Sequence, residues 1–314
     1  MMNIRNKIIL FAVLTSTLSF SSCKNRSKAI PDALKEKDLE ILETVLNNGQ
    51  LWEKVHAAEF LIDLGYAGKV SDVFLAELNQ NGHLPQYRIG IWRVLYKCAE
   101  NEEKQIWQDS IYRAFVLPTS PDRIHAAETL AKLKIPTENK DSEIVESAIV
   151  SSDKRLSFFT QWWAIPQLEH GIEKLKEYLS GIIRFEEESI IRLMAAYVLG
   201  EDRDICFDTE EWQILKDFAV SEPVGSDVRL YLLAAAFSKA PVDAMQTASF
   251  KNIKKLLLEY TDSDKPKLYQ LCLSLARKGD LKDVDILKPL LHHHEDDVKI
   301  AAAYAILQIE KSLK

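Results

Sequence analysis

The tetrapeptide His-Ala-Ala-Glu occurs twice, at His56 to Glu59 and at His125 to Glu128. On a helix, residues three apart share a face, and a His–Glu pair so placed can hold a divalent metal. A joint site of two histidines and two glutamates is therefore the sharpest chemical hypothesis this chain offers. Spacing argues against it. If the two copies are stacked helices with a third between them, equivalent atoms stand about two interaxial spacings of ~8–10 Å apart, whereas zinc ligands lie about 2 Å from the ion. The intervening equivalent position is Arg93. A row of Glu59, Arg93 and Glu128 linked as ion pairs, flanked by His56 and His125, is the more economical expectation, with a binding surface made of the same five residues as the alternative.

Two other groups invite attention. His292, His293 and His294 precede Glu295, Asp296 and Asp297, but adjacent histidines point different ways, and helix-capping acids in an exposed loop account for the run. Trp162 and Trp163 are adjacent, so both cannot face the same way, and one is expected at the surface, suited to a peptide or a sugar ring. No phosphate-binding loop, dinucleotide-binding glycine motif, nucleophile elbow or HExxH sequence is present. No cofactor, metal or catalytic residue is assigned, and an enzyme is not expected.

These residues are positioned by a repeat. Ala57-Ala58, Ala126-Ala127 and Ala195-Ala196 are spaced 69 residues apart, and Ala302-Ala303 begins a further copy. Each interval contains another amphipathic segment in register, at Ile91-Trp92, Thr160-Gln161, Leu232-Leu233 and Leu271-Cys272, giving eight copies 31 to 39 residues apart. That period fits a pair of helices. Second amphipathic runs follow each copy, for example Ser71 to Leu78, Gln105 to Phe115 and Ile172 to Ile183, and an opening helix from about Ala33 to Leu46 precedes them. The breaks between runs are rich in Pro, Asp and Ser, which belong at helix starts. Adjacent alanines allow close helix approach, and Gly65 and Gly200 are expected to let the chain turn sharply into the second helix.

IRLMAAYVLG (191–200) and VKIAAAYAIL (298–307) resemble the HEAT-repeat family through an aliphatic, a basic, two Ala and a Leu position. The resemblance implies an all-α protein, an α-solenoid of about eight antiparallel helix pairs over residues 33–314. The recurring basic residues Lys54, Arg88, Arg123, Arg192, Arg229 and Lys299 then read as a ladder of contacts between repeats rather than a basic stripe for an anionic partner.

The first residues run from a basic start through a short apolar stretch, IILFAVLTSTLSF, to Ser-Ser-Cys23. This resembles a bacterial lipoprotein signal: residues 1–22 removed, Cys23 lipidated, and 23–32 a polar tether. The whole chain carries a formal charge of −7; without residues 1–22, which hold Arg5 and Lys7 and no acid, it is −9. Bulk charge of that sign disfavours nucleic acid. The expected protein is lipid-anchored in the bacterial envelope with its body facing the periplasm, a non-enzymatic scaffold that binds protein partners through the solenoid surface. The alternative is a glycan-binding or glycan-processing factor in which the helix pairs close into an α/α toroid.

Overall fold

The computed structural model describes residues 32–137 and 142–313; the leader, Cys23 and the tether up to residue 31 lie outside the described residues, and Asp32, expected in the tether, begins the first helix. The described chain is all-α. Its helices are α1 (Asp32–Asn48), α2 (Trp52–Leu64), α3 (Ser71–Asn81), α4 (Pro85–Cys98), α5 (Asn101–Val116), α6 (Arg123–Leu133), α7 (Ser142–Ile149), α8 (Lys154–Ala164), α9 (Gly171–Phe185), α10 (Ser189–Glu201), α11 (Thr209–Ser221), α12 (Asp227–Ser238), α13 (Ala248–Leu258), α14 (Lys265–Lys278), α15 (Asp283–Leu287) and α16 (Asp296–Lys311). None is long and apolar enough to cross a membrane.

Helix boundaries follow the local chemistry. Asp153, Ser226 and Thr247 accept backbone N–H groups at the starts of α8, α12 and α13, and Asp208 with Glu211 forms a reciprocal capping box on α11. Pro85 and Pro266 sit in first turns, where no N–H is missed. Gly65 closes α2 at φ 100, a left-handed conformation that a side chain would strain. Gly200 has a different role from the expected turn: it lies inside α10, and a Cβ there would sit 3.3 Å from the Ala235 backbone of α12. Its missing side chain lets two helices approach.

The even-numbered helices form the inner layer, each packed against the next, and the odd-numbered helices lie outside them. Ala57, Ala58, Ala126, Ala127, Ala195, Ala196, Ala302 and Ala303 are all fully buried at these inner contacts. Helix packing does not stop at the chain ends. α16 packs on both α1 and α2, Phe60 stacks on Tyr304 with centroids 4.3 Å apart, and His56 pairs with Asp297 at 2.9 Å. Asp63 accepts from Tyr304 Oη at 2.6 Å and from Gln308 Nε2 at 2.5 Å. The expected opening helix thus caps no free end: eight inner helices close into a ring, with α1 covering the seam.

Candidate functional site

One register of the repeat faces the ring's interior. Counting from the first residue of each small pair, the positions two and six residues on lie four apart, on one face of an inner helix. Across the eight helices these positions hold Glu59 and Asp63, Arg93 and Lys97, Glu128 and Lys132, Trp162 and Pro166, Tyr197 and Glu201, Ala234 and Ser238, Leu273 and Arg277, Tyr304 and Gln308. At least one member of every pair lines a single cavity of about 960 Å³, within the range of ligand sites. The cavity opens where the inner helices end, at one mouth of the ring.

Eight cations and four carboxylates line this mouth, a local surplus of positive charge on an acidic protein. Helix geometry explains much of it. The C-terminal turns of the inner helices leave carbonyls unpaired and carry the negative pole of the helix dipole. Arg277 donates to the Gly200 carbonyl at 2.5 Å and to that of Glu201, Lys239 donates to the Asp202 and Ile205 carbonyls, Lys278 to that of Ala240 and Lys311 to that of Asp63. Three of the eight cations therefore cap the ends of inner helices, and Lys278 holds the link just beyond α12. Burial, reinforced by the nearby Arg277 charge, pulls the Lys239 ammonium down to about 8.

Three of the other four stand beside mouth carboxylates, and the fourth, Lys132, beside Glu128. Lys97 lies 2.8 Å from Glu59, and Arg203 lies 3.4 Å from Asp63. Lys134, in the left-handed region at the end of α6 (φ 53), reaches Asp202 at 3.4 Å and also Asp204. Lys132 pairs with Glu128 at 2.6 Å and sits over the Tyr197 ring. Glu201 takes Arg277 at 2.6 Å. Half-buried Tyr197, Tyr269 and Tyr304 complete the wall.

Deeper in the wall lies the row expected from the sequence, in altered form. Arg93, 5% exposed, grips Glu59 with two nitrogens at 2.8 and 3.2 Å and donates to Thr129 at 3.3 Å. Glu128 pairs with Lys132 on its own helix instead of with Arg93. Burial pushes the Glu59 carboxyl up, but the charges of Arg93 and Lys97 outweigh it and hold the group well below the usual carboxylate range. Glu128 is held down in the same way by Lys132 and Arg93.

The two histidines part company. His56 faces the seam, bonded to Asp297 and 5.2 Å from the Tyr269 ring. His125 stacks on Trp52 at 6.0 Å, its Nδ1 buried without a partner. The Trp52 ring reaches it over Gly90, where a Cβ would come within 2.9 Å of the indole. Neither histidine joins a metal-ligating cluster, and no group of three or more such residues forms one among the described residues.

Trp162 and Trp163 correct the expectation that one is exposed: they are 4% and 2% exposed. Trp163 donates to the Ile135 carbonyl at 2.5 Å, while Trp162 donates to Asp202 at 3.3 Å and lines the cavity. Adjacent residues on a helix point about 100° apart, and both directions here meet other helices. The basic ladder is partly made of side-chain pairs, Arg88 with Asp122 at 2.6 Å and Arg192 with Glu222 at 2.6 Å, whereas Arg123 and Arg229 hold backbone carbonyls of the preceding outer segment.

Sequence reasoning missed Lys132, Tyr197, Glu201, Tyr269 and Arg277. The signal that finds most of them is the non-repeating character of the positions two and six residues beyond the small pair. Searches of protein-family models and of curated proteins gave no match to this chain.

Proposed function

We propose that this is a lipid-anchored, non-enzymatic binding protein in which HEAT-like helix pairs, curved back upon themselves, present one ligand site at the mouth of the ring. The observation that carries the reading is the convergence of all eight inner helices on a single cavity through residues that do not repeat. Repeated residues serve packing; variable residues in a shared register serve recognition. The mouth carboxylates each stand within 3.4 Å of a cation, an arrangement suited to holding a ligand rather than to delivering protons. Hydrogen exchange of the intact lipoprotein with and without detergent-solubilised envelope extract tests the site. Protection confined to the ends of α2, α10, α14 and α16 supports it; unchanged exchange there in the presence of a captured ligand rejects it. Loss of membrane association in a Cys23→Ser variant tests the anchor, and an unchanged membrane fraction refutes it.

A second reading, the protein scaffold, draws on the opposite face. Outer helices run away from the mouth, and at their far ends Leu117, Val150, Phe185 and Val224 are 55%, 81%, 82% and 78% exposed. Four consecutive outer-to-inner turns with one bare apolar side chain each form a row that a protein partner would cover. Capture of a partner by wild type that survives mouth substitutions but fails in a Phe185→Ser, Val224→Ser double variant favours the scaffold.

A further inference from the structure

The mouth's chemistry narrows its ligand, given the reading that the mouth is the ligand site. Side chains alone give a surplus of four positive charges, which would favour an anion. The eight inner helix ends aimed at the same space carry roughly half a negative charge each, about −4 in all. The two contributions oppose each other, and the four cations without a mouth carboxylate are Lys132, which Glu128 neutralises, and Lys239, Lys278 and Lys311, which are engaged on backbone carbonyls. No net field selects an anion or a cation.

What remains is a wall of paired donors and acceptors. Lys97 beside Glu59 at 2.8 Å and Arg277 beside Glu201 at 2.6 Å each set a cationic N–H next to a carboxylate oxygen. Neighbouring hydroxyls on a sugar ring are spaced alike, and each can donate to the oxygen and accept from the nitrogen. The acceptors are fixed before any ligand arrives: Arg93 holds Glu59 from behind, and Glu201 shares Arg277 with the end of α10. Tyr197 and Tyr269, half-buried in the wall, add flat apolar surface for the C–H faces of such a ring. Fixed polar pairs need no reorganisation on binding, which lowers its entropic cost.

We propose that the mouth binds the end of a neutral saccharide chain, its vicinal hydroxyls bridging the Lys97–Glu59 and Arg277–Glu201 pairs and its rings lying against Tyr197 and Tyr269. The test is isothermal titration of the intact protein with neutral oligosaccharides from cellulose, mannan, xylan and starch, and with uronate oligosaccharides from pectin and alginate. Hydrogen exchange on any binder locates its site. Expected is binding of at least one neutral oligosaccharide, little changed by added salt, with protection at the mouth. Lys97→Met, at an exposed position, and Glu201→Gln each weaken it about tenfold, the worth of one charge-assisted hydrogen bond, while thermal unfolding confirms that both variants fold. Tight, salt-sensitive binding of uronates alone, protected at the mouth, overturns the neutral assignment and leaves the mouth standing as the ligand site. A neutral sugar protecting only the outer helices overturns both. Failure of every neutral oligosaccharide to bind overturns the saccharide assignment.

Discussion

At the scale of single residues, the two charged groups that matter most to stability are opposites. Arg93 is buried with both partners in place, so Arg93→Ala strands the Glu59 carboxylate with Lys97 alone. Breaking a buried pair from one side costs about 3–5 kcal/mol, to be read from urea unfolding at neutral pH. The depressed Glu59 carboxyl gives the pH signature: its contribution is present above the ordinary carboxylate range and is lost as pH falls through the depressed value. Asp38, on α1 at the seam, is fully buried with neither oxygen bonded. Burial pushes its carboxyl up to about 7, Lys37 opposing and Glu310 adding. The folded state therefore holds a proton that the unfolded chain releases near 3.8, and stability drains away as pH climbs from about 4 to about 7. Asp38→Asn should unfold at higher urea than wild type at about pH 8, by on the order of 1–4 kcal/mol, with the gap closing near pH 4. A constant gap would remove Asp38 as its source. Of this chemistry, the Glu59–Arg93 contact was legible, because both residues hold the same register of adjacent repeats. The Glu128–Lys132 pair was not, since a pairing within one helix competes with a pairing between helices and only packing decides.

Single elements were the most readable part of the chain. The second helices were expected to within a few residues, because apolar periodicity and capping residues are local signals. Glycine roles were read only in part: Gly65 ends α2 as expected, but a glycine that ends a helix and one that admits a neighbour look alike in sequence. Gly200 and Gly90 are of the second kind. At Gly90 an added methyl would meet the Trp52 ring at 2.9 Å and Val55 at 3.0 Å. Gly90→Ala should cost about 1–3 kcal/mol by overpacking. It should also shift the tryptophan fluorescence as the indole leaves His125. Full retention of stability and spectrum would mean that α4 moves freely against α2. Trp162 and Trp163 show the limit from the other side: adjacent aromatics forced an expectation of exposure, yet both directions were covered by neighbouring helices that no local signal could place.

Over the whole molecule, eight copies announce a stack but not whether the stack closes. Closure depends on contacts such as His56 with Asp297 and Asp63 with Gln308, 241 and 245 residues apart in sequence, and on the small rotation accumulated from repeat to repeat. The closed form predicts a compact particle. Small-angle scattering of the protein without its leader should give a radius of gyration of about 19 Å, the value for a globule of this length; a markedly larger one would mean an open array. The candidate mouth inherits this illegibility, since its residues come from all eight copies and converge only when the ends meet.

The seam also changes how the molecule comes apart. An open stack of repeats behaves as a one-dimensional chain, able to fray from either end and to nucleate anywhere. Joining α16 to α1 and α2 leaves neither terminal helix pair of the described residues without a neighbour, so fraying at either extreme must first break contacts with the other. Closing that circuit carries the loop-closure entropy of nearly the whole chain, which makes it the slow, late event of folding. The reward is cooperativity: a chain built from parts that touch only their neighbours is made to fold and unfold as one.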